Sequence, residues 1–480
     1  MTQWIAAIAR GHNSGVCLLK DGELVLSIEE ERFSRKKYDG GPLASMVKIL
    51  EYTDTLDYLV IAHTQPLDQA GTIDFTGENM YTGLARKLGL IDRKADIYKH
   101  PQVIDMSRYH HKLHSSCAFF RSGFKSAVSV IVDGAGTFIP MSIEGEDVLT
   151  WELETIIDCD YPDKFTTLYK HQGGRGPWAS VKIPNFSSEY YGEEGTHELV
   201  LDETAGIVKA YEAVTQYCGW APIEAGKTMG LFPYGSQNLN IPDIYTNYDG
   251  MSDWSTTNRD LIVPTYPNGA VVNKGRFTEL RDPVDLKPED DLTKLQSRRD
   301  LAYAIQTESE QMVLDLIRKA VKMTGKKNVV LSGGYGLNCV ANYWYLEQLK
   351  DEGIDLFVEP VSNDAGTAIG AAYLQYQRVS KSKEVKPMIK DLYYGPTYEY
   401  DKEYITDLAN YYNATRIYEA DHEDAVDLIM NKNIVALFQG RSEAGPRALG
   451  NRSIMYDPRD PKGKDHVTTI KRREYFRPFA

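Results

Sequence analysis

The chain has 480 residues, with 54 Lys and Arg against 68 Asp and Glu and a formal net charge of −14. At roughly 100–200 residues per domain this implies two to four domains, and 42% hydrophobic with 25% charged residues excludes a disordered chain. No run approaches the ~20 apolar residues of a membrane helix, and the acidic balance disfavours a general nucleic-acid binder.

Taken in order, Trp4–Ala9 and Val16–Leu19 read as strands, Asp21-Gly22 as a hairpin turn and Glu23–Ile28 as the returning strand. The N-terminus lacks the basic leader of a signal peptide. An acidic then basic run follows, Glu29 to Lys37. Tyr109–His114 continues into the helical Ser115–Arg121, and Ala127–Val132 is a strand that opens into Asp133-Gly134-Ala135-Gly136. Residues 150–300 are rich in Tyr, Gly and Asn and read as large insertions. Leu301–Met323 has helical apolar spacing. Asn328–Leu331 is a strand leading to Ser332-Gly333-Gly334 and a helix over Leu337–Leu349; Ala365–Gln377 is helical. The polar stretch Val379–Lys390 marks a boundary, giving a domain over 1–380 and a second, smaller α/β domain over 388–480 that carries the strand Ile434–Phe438. This alternation of strands, glycine loops and helices predicts an α/β chain. Five cysteines (Cys17, Cys117, Cys159, Cys218, Cys339) with no CxxC pair fit a reducing cytoplasm.

Three clusters carry chemistry. On a helix, His110 and His114 share a face as two metal ligands must, while His111 points elsewhere. A polar surface helix or hydrogen-bonded core imidazoles are the alternatives. Asp133 at a strand end and Asp364 at a loop-to-helix junction would complete a donor set suited to Fe(II), Mn(II) or Zn(II); each alone reads equally as a turn or cap residue. Glycine loops at Gly134 and Gly333-Gly334, with Gly226-Lys227-Thr228-Met229-Gly230, suit close backbone approach to phosphate, though none is a Walker A loop and each singly also fits a tight turn. Finally, Arg441, Arg447 and Arg452 stand among glycines as a phosphate or carboxylate clamp, against the alternative of a solvated basic face.

His12-Asn13-Ser14, Glu29-Glu30-Glu31-Arg32-Phe33, His110-His111-Lys112-Leu113-His114, Asp133-Gly134, Gly226–Gly230, Ser332-Gly333-Gly334, Asp364 and GRSEAGPRALGNRSI occur in an order that resembles the O-carbamoyltransferases of the nodulation-factor, cephamycin and tobramycin type. The resemblance spans residues 5–480. It implies a duplicated actin and sugar-kinase-like (RNase H-like) domain, similar to the tRNA threonylcarbamoyladenosine transferase, followed by a shortened YrdC-like α/β domain. The implied reaction condenses carbamoyl phosphate with ATP to carbamoyl adenylate, then passes the carbamoyl group to a hydroxyl beside a metal, usually iron, with Mg²⁺ as a companion of ATP. By motif, His110, His114, Asp133 and Asp364 would be metal ligands, His12 the base, and Lys37 a neighbour of the transferred group. Gly134, Lys227, Gly230, Gly333, Gly334 and Asn338 would line the nucleotide, and Arg441, Arg447 and Arg452 the phosphates.

Family members continue past the RPFA at Ala480, so the second domain, at about ninety residues, is expected to be short for that fold. A second chain completing it and a homodimer are compatible with the resemblance. The acceptor is a sugar, a small molecule or a hydroxymethylated nucleobase, including modified DNA. The competing readings are an actin-like sugar kinase or ATPase and a truncated, non-catalytic binding protein.

Overall fold

The computed structural model describes residues 2–64, 80–94, 100–143, 145–175, 180–186, 196–246 and 254–478. Strands β1 (Trp4–Ala9), β2 (Gly15–Lys20), β3 (Glu23–Glu29), β4 (Tyr58–Ala62) and β5 (Val103–Asp105) form one sheet in the order β3-β2-β1-β4-β5. β1 pairs antiparallel with β2 and parallel with β4. Asp21 (φ 51°) and Gly22 (φ 80°) are both left-handed, as the two central residues of the expected hairpin turn require.

A second sheet contains β6 (Ser126–Val132), β7 (Phe138–Ile143), β8 (Glu146–Asp160), β9 (Lys164–Gly173), β10 (Val181–Phe186) and β11 (Thr196–Asp202), with β14 (Asn328–Ser332) and β15 (Asp355–Val358). Between β11 and β14 lies a separate hairpin, β12 (Ile262–Thr265) with β13 (Gly269–Val272). The order β9-β8-β6-β14-β15 repeats the first sheet: β6 is antiparallel to β8 and parallel to β14. The fold is therefore a duplicated α/β unit of the actin-like kind, and the duplication is visible in strand order and direction.

Residues 150–173, expected among the insertions, instead belong to β8 and β9, the counterparts of β2 and β3. Ile156, Ile157, Cys159, Phe165 and Tyr169 are all buried. A strand covered on both faces loses the alternation by which a half-exposed strand is recognised in sequence.

Two helices connect the sheets. His110–Arg121, every residue of which is buried, packs on β6, β8 and β14; Ala365–Ser380 packs on β1, β2 and β4. They meet face to face through small residues. A Cβ on Gly370 would sit 1.9 Å from the Leu113 carbonyl oxygen, and the Ser116 hydroxyl donates to the Gly370 carbonyl at 2.8 Å. The buried pair Arg121–Glu359 (3.0 Å) ties the end of the first helix to the segment after β15.

The chain divides into two compact units, 1–390 and 391–480. Residues 381–390 belong to the first unit, where the Ile389 amide donates to the Arg121 carbonyl at 3.0 Å. The second unit holds a two-stranded sheet, β16 (Val435–Phe438) with β17 (Arg452–Met455), and helices Lys402–Tyr411, His422–Met430 and Gly463–Lys471. The first two of these helices bury no residue.

Substituting Gly370→Ala should lower unfolding stability by about 3 kcal/mol through overpacking. Gly226→Ala, at a helical glycine with nothing within 4 Å of the added Cβ, should be neutral or slightly stabilising. Thermal denaturation of the two variants side by side checks the contrast.

Candidate metal centre and glycine loops

Four side chains from different parts of the first unit converge. His110 opens the His110–Arg121 helix, its backbone N–H donating to Thr137 Oγ1 at 3.1 Å. His114, one turn on, brings its Nε2 to 3.2 Å from His110 Nε2. Asp133 follows β6 directly, and Asp364 precedes the Ala365–Ser380 helix. His110 Nε2 lies 3.5 Å from Asp133 Oδ2 and 3.6 Å from Asp364 Oδ1, and His114 Nε2 lies 3.8 Å from Asp364 Oδ1. One ligand atom from each of the four falls within 4.8 Å of all the others.

Electrostatically the cluster holds a proton where a cation would sit. Burial disfavours charge on His110, yet hydrogen bonding and charge from Asp133 and Asp364 override it and raise the imidazole to about 10. Burial and the neighbouring His110 charge push His114 down to about 3. Burial would raise both carboxyls, but the imidazoles beside them hold Asp133 well below the carboxylate range, and His12 and His110 hold Asp364 at about 2. Two imidazole nitrogens facing each other at 3.2 Å repel unless a proton or a cation lies between them. Two borderline nitrogen donors and two hard oxygen donors fit a divalent transition metal.

His12, half-exposed in the loop after β1, approaches from the side, with Nδ1 3.6 Å from Asp364 Oδ2. His111 turns away, as its position on the helix requires. Its Nδ1 lies 2.7 Å from Thr155 Oγ1, and burial pushes it down to about 4.

The two strand-end glycine loops meet at Asp133. Gly333 has φ +91°, and a Cβ there would stand 2.4 Å from the Val132 carbonyl oxygen, so only glycine fits. That turn lets the Gly334 amide donate to Asp133 Oδ1 at 2.9 Å, opposite the oxygen that faces His110. Gly134 lies beside the Lys209–Glu212 pair (2.7 Å), with a Cβ reaching Glu212 Oε1 at 3.1 Å and Lys209 Nζ at 3.4 Å. Lys209 and Glu212 escaped the sequence reading because an i,i+3 ion pair on a helix looks like any surface pair.

The remaining expected residues sit elsewhere. Gly226–Gly230, read as a glycine loop, is part of the Ala225–Leu231 helix. There Lys227 pairs with Glu224 at 2.8 Å and Gly230 is buried. Lys37 is exposed with Nζ 4.5 Å from the Tyr38 ring centre. Burial raises the Glu224 carboxyl, but Lys227 and the Ala221 amide win and lower it, with the Lys37 charge adding to the effect. Asn338 caps the Cys339–Leu349 helix and exchanges two amide bonds with Gln306, at 3.1 and 3.0 Å.

In the second unit, Glu443 Oε1 accepts from the amides of Leu449, Asn451 and Arg452 and shapes the arginine loop. Arg441 donates to the Gly395 and Tyr394 carbonyls. Arg452 donates to the Gln439, Gly440 and Asn451 carbonyls and stacks 3.6 Å over Phe438. Arg447 is exposed.

A family model described as the carbamoyltransferase N-terminus matches residues 69–373, and one described as the carbamoyltransferase C-terminus matches residues 426–480. The chain belongs to the carbamoyltransferase family. Nodulation protein NolNO of Sinorhizobium fredii (strain NGR234) is 27% identical over 487 residues, covering 98% of this chain and 62% of NolNO. Protein sll1178 of Synechocystis is 28% identical over 519 residues, covering all of this chain and 75% of that protein. Nodulation protein U of S. fredii is 35% identical over 176 residues, 36% of this chain and 29% of its own length. The chain spans 62% of NolNO and 57% of NolO from Bradyrhizobium diazoefficiens. Among solved structures, full-length HypF in its phosphate- and nucleotide-bound form is 13% identical, covering 79% of this chain and 56% of HypF at a TM-score of 0.44. A ROK hexokinase from Thermus thermophilus, 13% identical, covers 78% of this chain and all of its own at a TM-score of 0.35. No helix of the described residues is long and apolar enough to cross a membrane.

Because a bound cation must displace the proton held on His110, metal affinity should rise with pH by up to about tenfold per unit, from acid pH towards about 10. Titration with Zn²⁺ or anaerobic Fe²⁺ across this range, with proton release followed in parallel, checks the sign. The double variant His110→Ala/His114→Ala should lose stoichiometric metal.

Proposed function

We propose that the chain acts as an ATP-dependent O-carbamoyltransferase, passing a carbamoyl group from carbamoyl adenylate to an acceptor hydroxyl on a sugar, another small molecule or a hydroxymethylated nucleobase. The observation that carries this reading is the His110–His114–Asp133–Asp364 cluster, flanked by His12 on one side and by the Gly333-Gly334 backbone on the other. These four residues would hold a divalent metal, iron in the first instance, which when bound supplies Lewis-acid stabilisation of charge on the phosphate and carbonyl oxygens.

The protein's own groups divide the remaining work. Asp364 serves two neighbours, Oδ1 facing the histidine pair and Oδ2 facing His12. That orientation directs His12 Nδ1–H towards the carboxylate and leaves Nε2 to take the proton of the acceptor hydroxyl as it attacks the carbamoyl carbon. The tight turn at Gly333 lets the nucleotide approach the backbone closely, and the Lys209–Glu212 pair beside Gly134 offers polar contacts to phosphate and ribose. Lys227, Gly230 and Asn338 line this region in the same reading, with Asn338 seated by Gln306. Lys37 acts on the donor rather than on the metal in this reading.

Formation of the adenylate from ATP, with its Mg²⁺, and carbamoyl phosphate falls to the second unit. There Arg447 is the guanidinium available for phosphate, while Arg441 and Arg452 spend their donors on the loop that presents it. Tyr404, Ile405, Leu408, Val426, Met430 and Phe438 are all exposed in that unit, and a second chain covering these apolar faces accompanies this half-reaction. A phosphotransferase acting through Mg²⁺ and carboxylates would leave His110 and His114 without a task.

With carbamoyl adenylate supplied, His12→Ala should lower kcat by about 10²–10⁴-fold while metal content stays at the wild-type level. Mass spectrometry for a carbamoyl mass gain on candidate alcohols reads the activity. No gain on any alcohol in the presence of metal and supplied adenylate would sink the transferase reading.

A further inference from the structure

The loop between β6 and β7 starts at Asp133 and ends at Thr137, where it meets the helix His110–Arg121. Thr137 is wholly buried. Its Oγ1 accepts the His110 backbone N–H at 3.1 Å and donates to the Ser107 carbonyl at 3.1 Å. The first amides of a helix have no partner within it, and Tyr109, the residue before this one, offers no side-chain cap. The cap comes instead from 27 residues further along the chain. One hydroxyl thus joins the helix that carries His110 and His114 to the loop that carries Asp133.

Thr137 is itself held from behind. Its amide donates to Glu152 Oε2 at 2.8 Å, and its carbonyl accepts the Glu152 amide at 3.3 Å. Glu152, on β8, is 1% exposed, and its other carboxylate oxygen is paired with the buried Lys170 of β9. Burial alone would raise this carboxyl, but Lys170, His111 and the Thr137 amide bring it down to about 2, so Thr137 meets an ionised acceptor. Gly136 lets the loop lie this close, since a Cβ there would stand 2.6 Å from both Glu152 Oε2 and the His111 ring. A buried ion pair is costly and often no better for stability than apolar residues of the same volume. What it supplies here is a fixed direction for the Thr137 amide.

We propose that Thr137 is a positioning residue of the metal centre: its hydroxyl fixes the backbone of His110 relative to Asp133, and Glu152 with Lys170 sets the orientation of Thr137. This role rests on the reading that the His110–His114–Asp133–Asp364 cluster holds a metal. Loss of the hydroxyl leaves all four donors in the chain and frees only the helix start against the loop. Affinity and coordination geometry should therefore change, while stoichiometry should not. Thr155 is the matched control, a second buried threonine hydroxyl against the same helix, 2.7 Å from Nδ1 of the outward-turned His111.

Co²⁺ titration of the full chain, followed by visible absorption, tests the role. Thr137→Val keeps the shape and removes the hydroxyl; it should bind Co²⁺ about 10–100-fold more weakly, with a changed spectrum. Thr137→Ser should restore the wild-type affinity and spectrum. Glu152→Gln, one link further back, should weaken binding several-fold. Thr155→Val should lower the melting temperature about as much as Thr137→Val and yet keep its Co²⁺ affinity. Wild-type affinity and spectrum in Thr137→Val would overturn the proposal, or in Glu152→Gln if the valine variant does not fold. An equal loss in Thr155→Val, or no rescue by Thr137→Ser, would overturn it too. A wild-type chain that binds no Co²⁺ would remove the metal centre itself, and this role with it.

Discussion

The contact on which the rest of the first unit depends is the close approach of two helices, His110–Arg121 and Ala365–Ser380. Each is anchored to a different sheet, and their backbones come so near at Gly370 that no side chain fits between them. This contact sets the distance between His110 and His114 on one helix and Asp364 at the start of the other. Gly366 extends the same logic, since its Cβ would fall 2.0 Å from the Val361 carbonyl oxygen, just before Asp364. Packing of two small-residue surfaces thus becomes a metal-sized gap between four ligand atoms.

The gap is electrostatically loaded. Two carboxylates and two imidazoles out of water cannot all keep their solution protonation states, and the outcome is a proton on His110 and none on His114. A divalent cation would relieve the same conflict with better charge balance. The cluster joins the neighbouring loops through shared oxygens: Asp133 serves His110 with one and the Gly334 amide with the other, while Asp364 divides its pair between the histidines and His12. The histidine pair, His12 and the Gly333-Gly334 turn are therefore tied together through two carboxylates rather than through independent contacts.

The second unit is built differently. Its glycine and arginine segment is organised by Glu443, whose carboxylate gathers three backbone amides, and by arginines turned inward to carbonyls. At two of the three positions, Arg441 and Arg452, the guanidinium donates to backbone carbonyls and braces the loop. Exposed aromatic and aliphatic side chains on its helices show how little of its stability comes from burial within 391–480.

Much of this architecture was legible in residue order. Helical spacing alone puts His110 and His114 on one face and turns His111 away, because 3.6 residues per turn leaves no other choice. The Asp21-Gly22 turn, the strands around it and the strand-to-glycine junctions at Asp133 and Gly333 follow from equally local rules. What the chain order does not contain is the meeting of residues 110, 133 and 364, which arises only when two sheets of the same topology face each other across a helix pair. The roles of Gly226–Gly230, of β8 and β9 and of Arg441 and Arg452 were likewise decided by tertiary structure: a glycine in a helix, a strand buried on both faces and an arginine spent on backbone carbonyls look in sequence like something else. Local backbone geometry is written in neighbouring residues, whereas convergence of distant charges depends on packing distances that no short stretch of sequence records.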